Sequence, residues 1–433
     1  MSKRRLYVGP LFSLALLLRL GVVWATERTH SADWFFNQAN ELARLAESLR
    51  SGRGLSSPFG GSTGPSAFLA PGYPAIVAAA FAVFHPYSHA AMVALMVLQA
   101  SFGAATVAVL MLLARRAFGT RPANLAGLVW AISPPLLWLP TLFWETSLSI
   151  LLATSIAAAA LYCAENGSRI AWARAGVLAA SALTVNPSML PLIVCCFGWS
   201  WYRTPKQAKL LPAMALAVCV VLCSPWVIRN SLQLHAFIPL RSNMGYELWQ
   251  GNRPGADGYF VAELHPNVNA REFQQYQALG EVAYMREKSN LAKEAIVAAP
   301  GRFLKLCMMR AFDFWTGVVR HSAGLIVAYI VLTSIGGLAG LVLLWRRDRA
   351  LAVFFLLPLI LFPAPYYITH PDFRFRLVLD PLLVALSAYA LLRTWRASSP
   401  GDAFVREPAK SRGSSLCSER RVFAAGRATL KLR

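Results

Sequence analysis

The feature that most constrains this chain is the recurrence of apolar runs close to twenty residues long, most of them closed by arginine or lysine. A helix needs ~20 apolar residues to cross the hydrocarbon of a bilayer. Inside hydrocarbon the backbone must satisfy its own hydrogen bonds, which makes helices the default for such runs. Composition agrees: 56% of the residues are hydrophobic and 14% charged, against roughly 45–50% and ~25% in an average soluble chain. The reading is an all-α polytopic membrane protein. A net charge of +22 raises nucleic acid as a partner. The placement of that charge excludes it, because the basic residues sit in short loops and in the tail, the positive-inside pattern, and not on one soluble domain.

Charge then sets the expected topology. Lys3, Arg4 and Arg5 precede the first run, Leu6 to Ala25, and place the N-terminus inside. No small-residue cleavage site closes that run, so it is expected to remain as an uncleaved helix. The next full span, about 89–114, ends at Arg115, Arg116 and Arg121, expected inside. Parity therefore requires the shorter apolar piece 72–86 to lie at the outer surface or to re-enter without crossing. Further spans are expected at about 122–140, 146–163, 171–186, 187–202, 209–226, 322–345, 350–369 and 376–395. That gives about ten crossings with both ends inside and two larger outer segments, about 26–88 and 227–321. The domain reading is one membrane domain, 1–395, followed by a basic cytoplasmic tail, 396–433, expected to be disordered against the anionic leaflet. A bacterial inner or plasma membrane is the expected location. Cys163, Cys195, Cys196, Cys219 and Cys223 fall within apolar runs, show neither ligand nor disulfide spacing, and read as buried small hydrophobes.

Two carboxylates stand at outer ends of spans: Asp33 after the first, and Glu145 in "LFWETSLS". A charge beside hydrocarbon needs a partner or a task. Asp33 fits an N-cap for the segment Trp34 to Arg50, whose apolar Phe35, Leu42, Leu45, Ala46 and Leu49 line one helical stripe, with Asn37, Glu41, Arg44 and Glu47 off it. That pattern predicts an interfacial amphipathic helix. Glu145 fits a first-turn acid favoured by the helix dipole. Capping and catalysis are compatible, and both residues are candidate catalytic groups. Arg229, Arg374 and Arg376 lie on the side that the positive-inside bias disfavours. They read either as phosphate ligands, suited by the planar guanidinium fork, or as snorkelling anchors. Tyr73 in "APGYP", and Trp249 and Asn252 beside Tyr246 and Arg253, suit sugar stacking and hydroxyl recognition, or ordinary loop packing. His85 and His89, at i,i+4 spacing, and His370 before Asp372 form only a weak metal pattern. No cofactor is indicated, and a divalent metal is left open. The chain has no Walker A motif, no dinucleotide fingerprint and no Asp-x-Asp pair, which argues against a cytosolic nucleotide-sugar donor.

The order and spacing of several segments resemble the GT-C membrane glycosyltransferases, of the type related to protein O-mannosyltransferases and aminoarabinose lipid A transferases (family 39-like). The segments are the first-loop acid Asp33, "LRSGRGLSSPF", "APGYPAIVAAAFAVF", "LLARRAFGTRPANLAGLVWAISP", the second acid Glu145, "SPWVIRNSLQLHAFIPLRSNMGYELWQGNRP", "PGRFLKL" and "FRFRLVLDPLL". The resemblance implies a GT-C helical bundle with outer juxtamembrane helices. It also implies a polyprenyl-phosphate-linked sugar as donor, and a glycan, lipid or protein acceptor on the outer face. Asp33 then matches the family's first-loop catalytic carboxylate, Glu145 its second acidic position, and Arg374 and Arg376 a basic segment before the last span. Acceptor recognition is expected from the two outer segments. The rival reading is a transporter or flippase of lipid-linked sugars, which predicts ionisable residues near mid-membrane and broken helices in repeated halves. A third is a non-catalytic binder of the lipid carrier.

Overall fold

The computed structural model describes residues 5–205, 208–318 and 323–398. Two compact units divide the chain, Met1–Arg393 and Thr394–Arg433. The first holds the fold. Of the second, only the end of the final helix is described, and the tail expected from 396 lies outside the described residues beyond 398.

Every named element is helical, and among the described residues the sole β pairing is an isolated bridge between Ser56 and Pro65. Helix α1 (Val8–Thr29) runs a turn beyond its expected end. A connecting segment follows with α2 (Ala32–Phe36), α3 (Asn40–Arg50) and α4 (Gly72–Phe84). Ser88 accepts the Ala91 amide and starts α5 (His89–Phe118), which ends in Arg115 and Arg116 before Gly119. Next come α6 (Thr120–Ile132), α7 (Pro134–Trp138), α8 (Thr146–Asn166), α9 (Arg169–Val185), α10 (Leu190–Arg203) and α11 (Leu211–Leu234). A second connecting segment carries α12 (Met244–Asn252), α13 (Ala270–Leu279), α14 (Glu281–Ala298) and α15 (Pro300–Thr316). The chain closes with α16 (Gly324–Arg347), α17 (Arg349–Leu361), α18 (Ala364–Ile368), α19 (Phe373–Leu377) and α20 (Asp380–Ser398).

Six stretches are long and apolar enough to cross a membrane: α1, α5, α8, α11, α16, and α17 continued through α18. The span expected at 122–140 is instead a bent pair, α6 with Pro134–Thr141, turned by 57°. Counting it gives up to seven. Helices α9 and α10 are shorter, at 17 and 14 residues, so length and apolarity alone support fewer than the about ten crossings expected. Helix α4 has 13 residues, short for a crossing, as parity requires. The protein is an integral, multi-pass membrane protein.

Small residues set the closest packing. Gly336, Gly337 and Gly340 bring α16 onto α20 so tightly that a Cβ on Gly337 or Gly340 would overlap the Leu383 side chain or the Leu386 carbonyl, the approach that small residues permit between membrane helices. Cys163, Cys195, Cys196 and Cys223 are buried and unpaired, and Cys219 is half-buried.

The two ends of the bundle differ. One gathers Arg115, Arg116, Arg203, Arg346, Arg347 and Arg349, with Arg116 paired to Glu165. The other carries both connecting segments, which lock together through few polar groups. The Glu281 carboxylate accepts from Ser66 Oγ, the Ala67 amide and Tyr276 Oη. Asn267 donates to Glu41 and accepts from Arg44, both at 2.8 Å. The single amphipathic helix expected over Trp34 to Arg50 is interrupted by a short 3-10 turn, Asn37–Ala39, where Ala39 leaves helical geometry at φ −149°. Glu41, expected on the polar side, is buried because Asn267 satisfies it.

Candidate active site

Asp33 lies in the first turn of α2. Its expected role as N-cap belongs to Ser31, whose hydroxyl accepts the Trp34 amide at 3.2 Å. This leaves the Asp33 carboxylate exposed, with no side-chain partner among the described residues. Behind it, Phe35 and Phe36 are buried against Phe143, with ring centroids 4.9 and 5.0 Å away. Gln38 donates to the Thr141 carbonyl and accepts the Phe143 amide. Gln99 holds the carbonyls of Pro140 and Leu142. The elements bearing Asp33 and Glu145 are thus fastened to one floor, the 139–144 segment.

Glu145 immediately precedes α8, half-buried, with no recorded hydrogen bond from its carboxylate. It is within electrostatic reach of the Tyr73 and Tyr366 phenols. Tyr73 is 2% exposed and its hydroxyl has no partner. A buried, unsatisfied hydroxyl costs about 1–3 kcal/mol, so an arriving polar group would relieve it.

The arginines divide sharply. Arg374 is brought to Trp144, the residue before Glu145: its guanidinium stacks 4.3 Å from the Trp144 ring centroid, and Asp372 orients it through Nε at 3.0 Å. Its two terminal nitrogens make no recorded hydrogen bond. Arg376 is not brought to this surface. It is fully buried, ion-paired to Asp380, and donates to Thr333 and Ser334. Arg229 donates to the carbonyls of Ser66 and Leu55 and to Asn230. These bonds brace the first connecting segment. Asn252 is likewise committed, donating to Leu248 and Ile368 and accepting from Arg310. Trp249 packs one ring face under Lys288 Nζ at 4.1 Å. His85 and His89 lie on opposite sides of a helix break, and His89 pairs with Glu27 at 3.0 Å. Among the described residues no three potential metal ligands gather.

Sequence reasoning missed Arg241 and Tyr366. Arg241 is half-buried, uses Nε on the Phe68 carbonyl at 3.3 Å, and lies within electrostatic reach of Tyr366 and Glu247. Tyr366 stacks on Phe375 at 4.3 Å. Its hydroxyl is buried and hydrogen-bonded to Ser188, with Glu145, Arg241 and Arg374 within electrostatic reach. The site thus has Glu145 and Arg374 at the end of the 139–144 floor, Tyr366 and Arg241 within electrostatic reach, and Asp33 exposed on the helix packed against that floor. Arg241 carried the same disfavoured outer-side positive charge as Arg229, which was the available clue. His370 Nε2 meets Glu247 at 2.9 Å nearby.

No protein-family model matches the chain, and no curated protein does. Among solved structures, the Archaeoglobus fulgidus oligosaccharyltransferase tethered to an acceptor peptide is similar over 90% of this chain and 50% of that one, with a TM-score of 0.55 and 14% identity. The same archaeal enzyme, AglB, in complex with an inhibitory peptide and a dolichol-phosphate gives a TM-score of 0.54, 14% identity, and coverage of 90% and 51%. This chain thus spans about half the length of those enzymes. ArnT from Cupriavidus metallidurans bound to undecaprenyl phosphate matches at a TM-score of 0.38 and 13% identity, over 87% of this chain and 78% of that one, too loosely to add to the argument. At these identities the likeness is one of fold, and the fold is the GT-C fold.

Proposed function

We propose that this protein is a membrane glycosyltransferase that moves a sugar from a polyprenyl-phosphate carrier to a hydroxyl or amine acceptor at the end of the bundle bearing Asp33 and Glu145, the outer face by the charge rule. The observation that carries the reading is the stacking of Arg374 on Trp144, the residue before Glu145, on the same 139–144 floor against which the Asp33-bearing helix packs. Fold alone does not specify a reaction; this set supplies a base and an anion site.

In the proposed inverting step, the acceptor oxygen or nitrogen attacks the anomeric carbon and its proton passes to Asp33. The bond from the anomeric carbon to the phosphate oxygen breaks, and its electron pair leaves with the polyprenyl phosphate. Arg374 and Arg241 stabilise that charge as it develops. Glu145 orients the acceptor, with Tyr73 as a hydroxyl partner. Arg229, Arg376 and Asn252 hold the scaffold and do not touch substrate. The sugar is a hexose or pentose in this reading.

The test compares envelope glycans and glycolipids, by mass, from cells with and without the gene. Loss of one sugar residue from one glycan is expected, restored by the wild-type gene. Asp33→Asn should lower transfer about 10²–10⁴-fold, the usual share of a general base, at unchanged expression. A well-expressed Asn variant that restores the glycan fully would overturn the assignment. Accumulated carrier-linked precursor with every glycan intact would favour transport instead.

A further inference from the structure

Arg19 stands near the middle of α1 and is 1% exposed. No carboxylate pairs with it among the described residues. A lone charge at that depth is the mark expected of a transport path, yet its hydrogen bonds show a different use. Nη1 donates to the carbonyls of Ala15 at 3.0 Å and Ala131 at 3.3 Å, and Nη2 to that of Trp130 at 3.2 Å. In a continuous helix the Trp130 and Ala131 carbonyls would receive the amides four residues on. Those positions are Pro134 and Pro135, and proline has no N–H to give. One guanidinium therefore stands where two amides are missing, at the point where α6 bends by 57°.

Room has been left for it. A Cβ at Gly103 would sit 2.7 Å from Arg19 Nε. Beside it lies a partly enclosed cavity of about 10 Å³, lined among others by Arg19, Gly103, Thr106, Trp130, Pro140 and Ser147. Two buried polar atoms of that lining, Arg19 Nε and Ser147 Oγ, have no partner. Leu136, Leu139 and Ile150 complete a mainly apolar lining, so these two atoms are the polar partners offered to a guest, and a volume near 10–15 Å³ is about enough for one water. Ser147 lies two residues beyond Glu145, and Pro140 belongs to the floor segment.

We propose that Arg19, with a single water held between its Nε and Ser147 Oγ, is a positioning device: the guanidinium replaces the amides absent at Pro134 and Pro135, fixes the bend, and so sets the place of Glu145. The positioning half rests on the functional reading above; the amide-replacement half does not.

The experiment uses the full-length protein in lipid nanodiscs. Arg19→Met should lower the thermal unfolding midpoint. Adding Pro134→Ala and Pro135→Ala should return the midpoint most of the way, because the two carbonyls regain amides. Glycan transfer should stay at least tenfold down in that triple variant, because the helix straightens. If Arg19→Met alone does not fold, the same substitution is scored in the Pro134→Ala/Pro135→Ala background, where it should be nearly neutral for stability. Failure of the alanines to rescue stability overturns amide replacement. Recovery of stability and transfer together overturns the positioning of Glu145. A wild-type protein with no transfer at all sinks the functional reading while leaving the stability comparison intact. A high-resolution map should show one solvent peak between Arg19 Nε and Ser147 Oγ, and an empty void there removes the water.

Discussion

Asp33 and Glu145 differ in how much water they keep: the first is exposed, the second half-buried beside two phenols. As candidates both stood out in the sequence because acids at the ends of apolar runs are costly and few. The arginines were legible only as a class. Arg374 and Arg229 present the same anomaly on paper, and nothing local tells that one guanidinium stacks on Trp144, next to Glu145 in the chain, while the other is held by backbone carbonyls 163 and 174 residues away in sequence. A substitution pair separates them. Arg374→Ala should weaken the donor, raising its KM by about one to two orders of magnitude, as expected from losing a charge-assisted bond of about 1.5–3 kcal/mol. Arg229→Ala should leave the donor KM near wild type and instead destabilise the fold by about 1–3 kcal/mol, since the Leu55 and Ser66 carbonyls lose their donor. Steady-state kinetics on one hand and thermal unfolding on the other read the two outcomes.

Helices announced themselves by length and apolarity, but their interruptions did not. The break at Ala39 is imposed by Gln38 reaching across to Thr141 and Phe143, a contact over about a hundred residues that no local pattern encodes. The break after α6 falls at two prolines inside a run that reads as one continuous span, and the carbonyls freed there are met by Arg19, far away in the chain. Between the connecting segments, His265 is packed among Phe59, Phe68, Tyr246 and Phe260. Burial, against the opposing pull of Glu41 and Glu247, holds its imidazole below the usual 6.5. The unfolded segment therefore binds a proton near pH 6.5 while the folded one does so only at lower pH. Stability is intact above 6.5, falls as the pH drops through that window, and levels off below the folded value. Hydrogen exchange of α12 to α14 between pH 7.5 and 5 should show this loosening, and His265→Gln should flatten it. An unchanged pH response in that variant would assign the loosening elsewhere.

At the scale of the whole molecule, the all-α membrane class was readable because the bilayer leaves so few options for long apolar runs with basic ends, whereas the GT-C arrangement of those helices rests on the likeness to solved structures. Reading how tightly the runs meet required the coordinates. Gly337 and Gly340 admit no side chain against Leu383 and Leu386, whereas Gly9, Gly21 and Gly198 have nothing within 4 Å of where a Cβ would stand. A saturation scan scored by glycan restoration should therefore find the first pair intolerant of alanine and of everything larger, and the other three permissive to most residues. Equal tolerance at both sets would mean that α16 and α20 separate more readily than their contact implies. Heredity follows from this packing: the seam between those helices can drift only by exchanging residues on both sides at once, so it should change slowly in descent while the lipid-facing glycines wander freely.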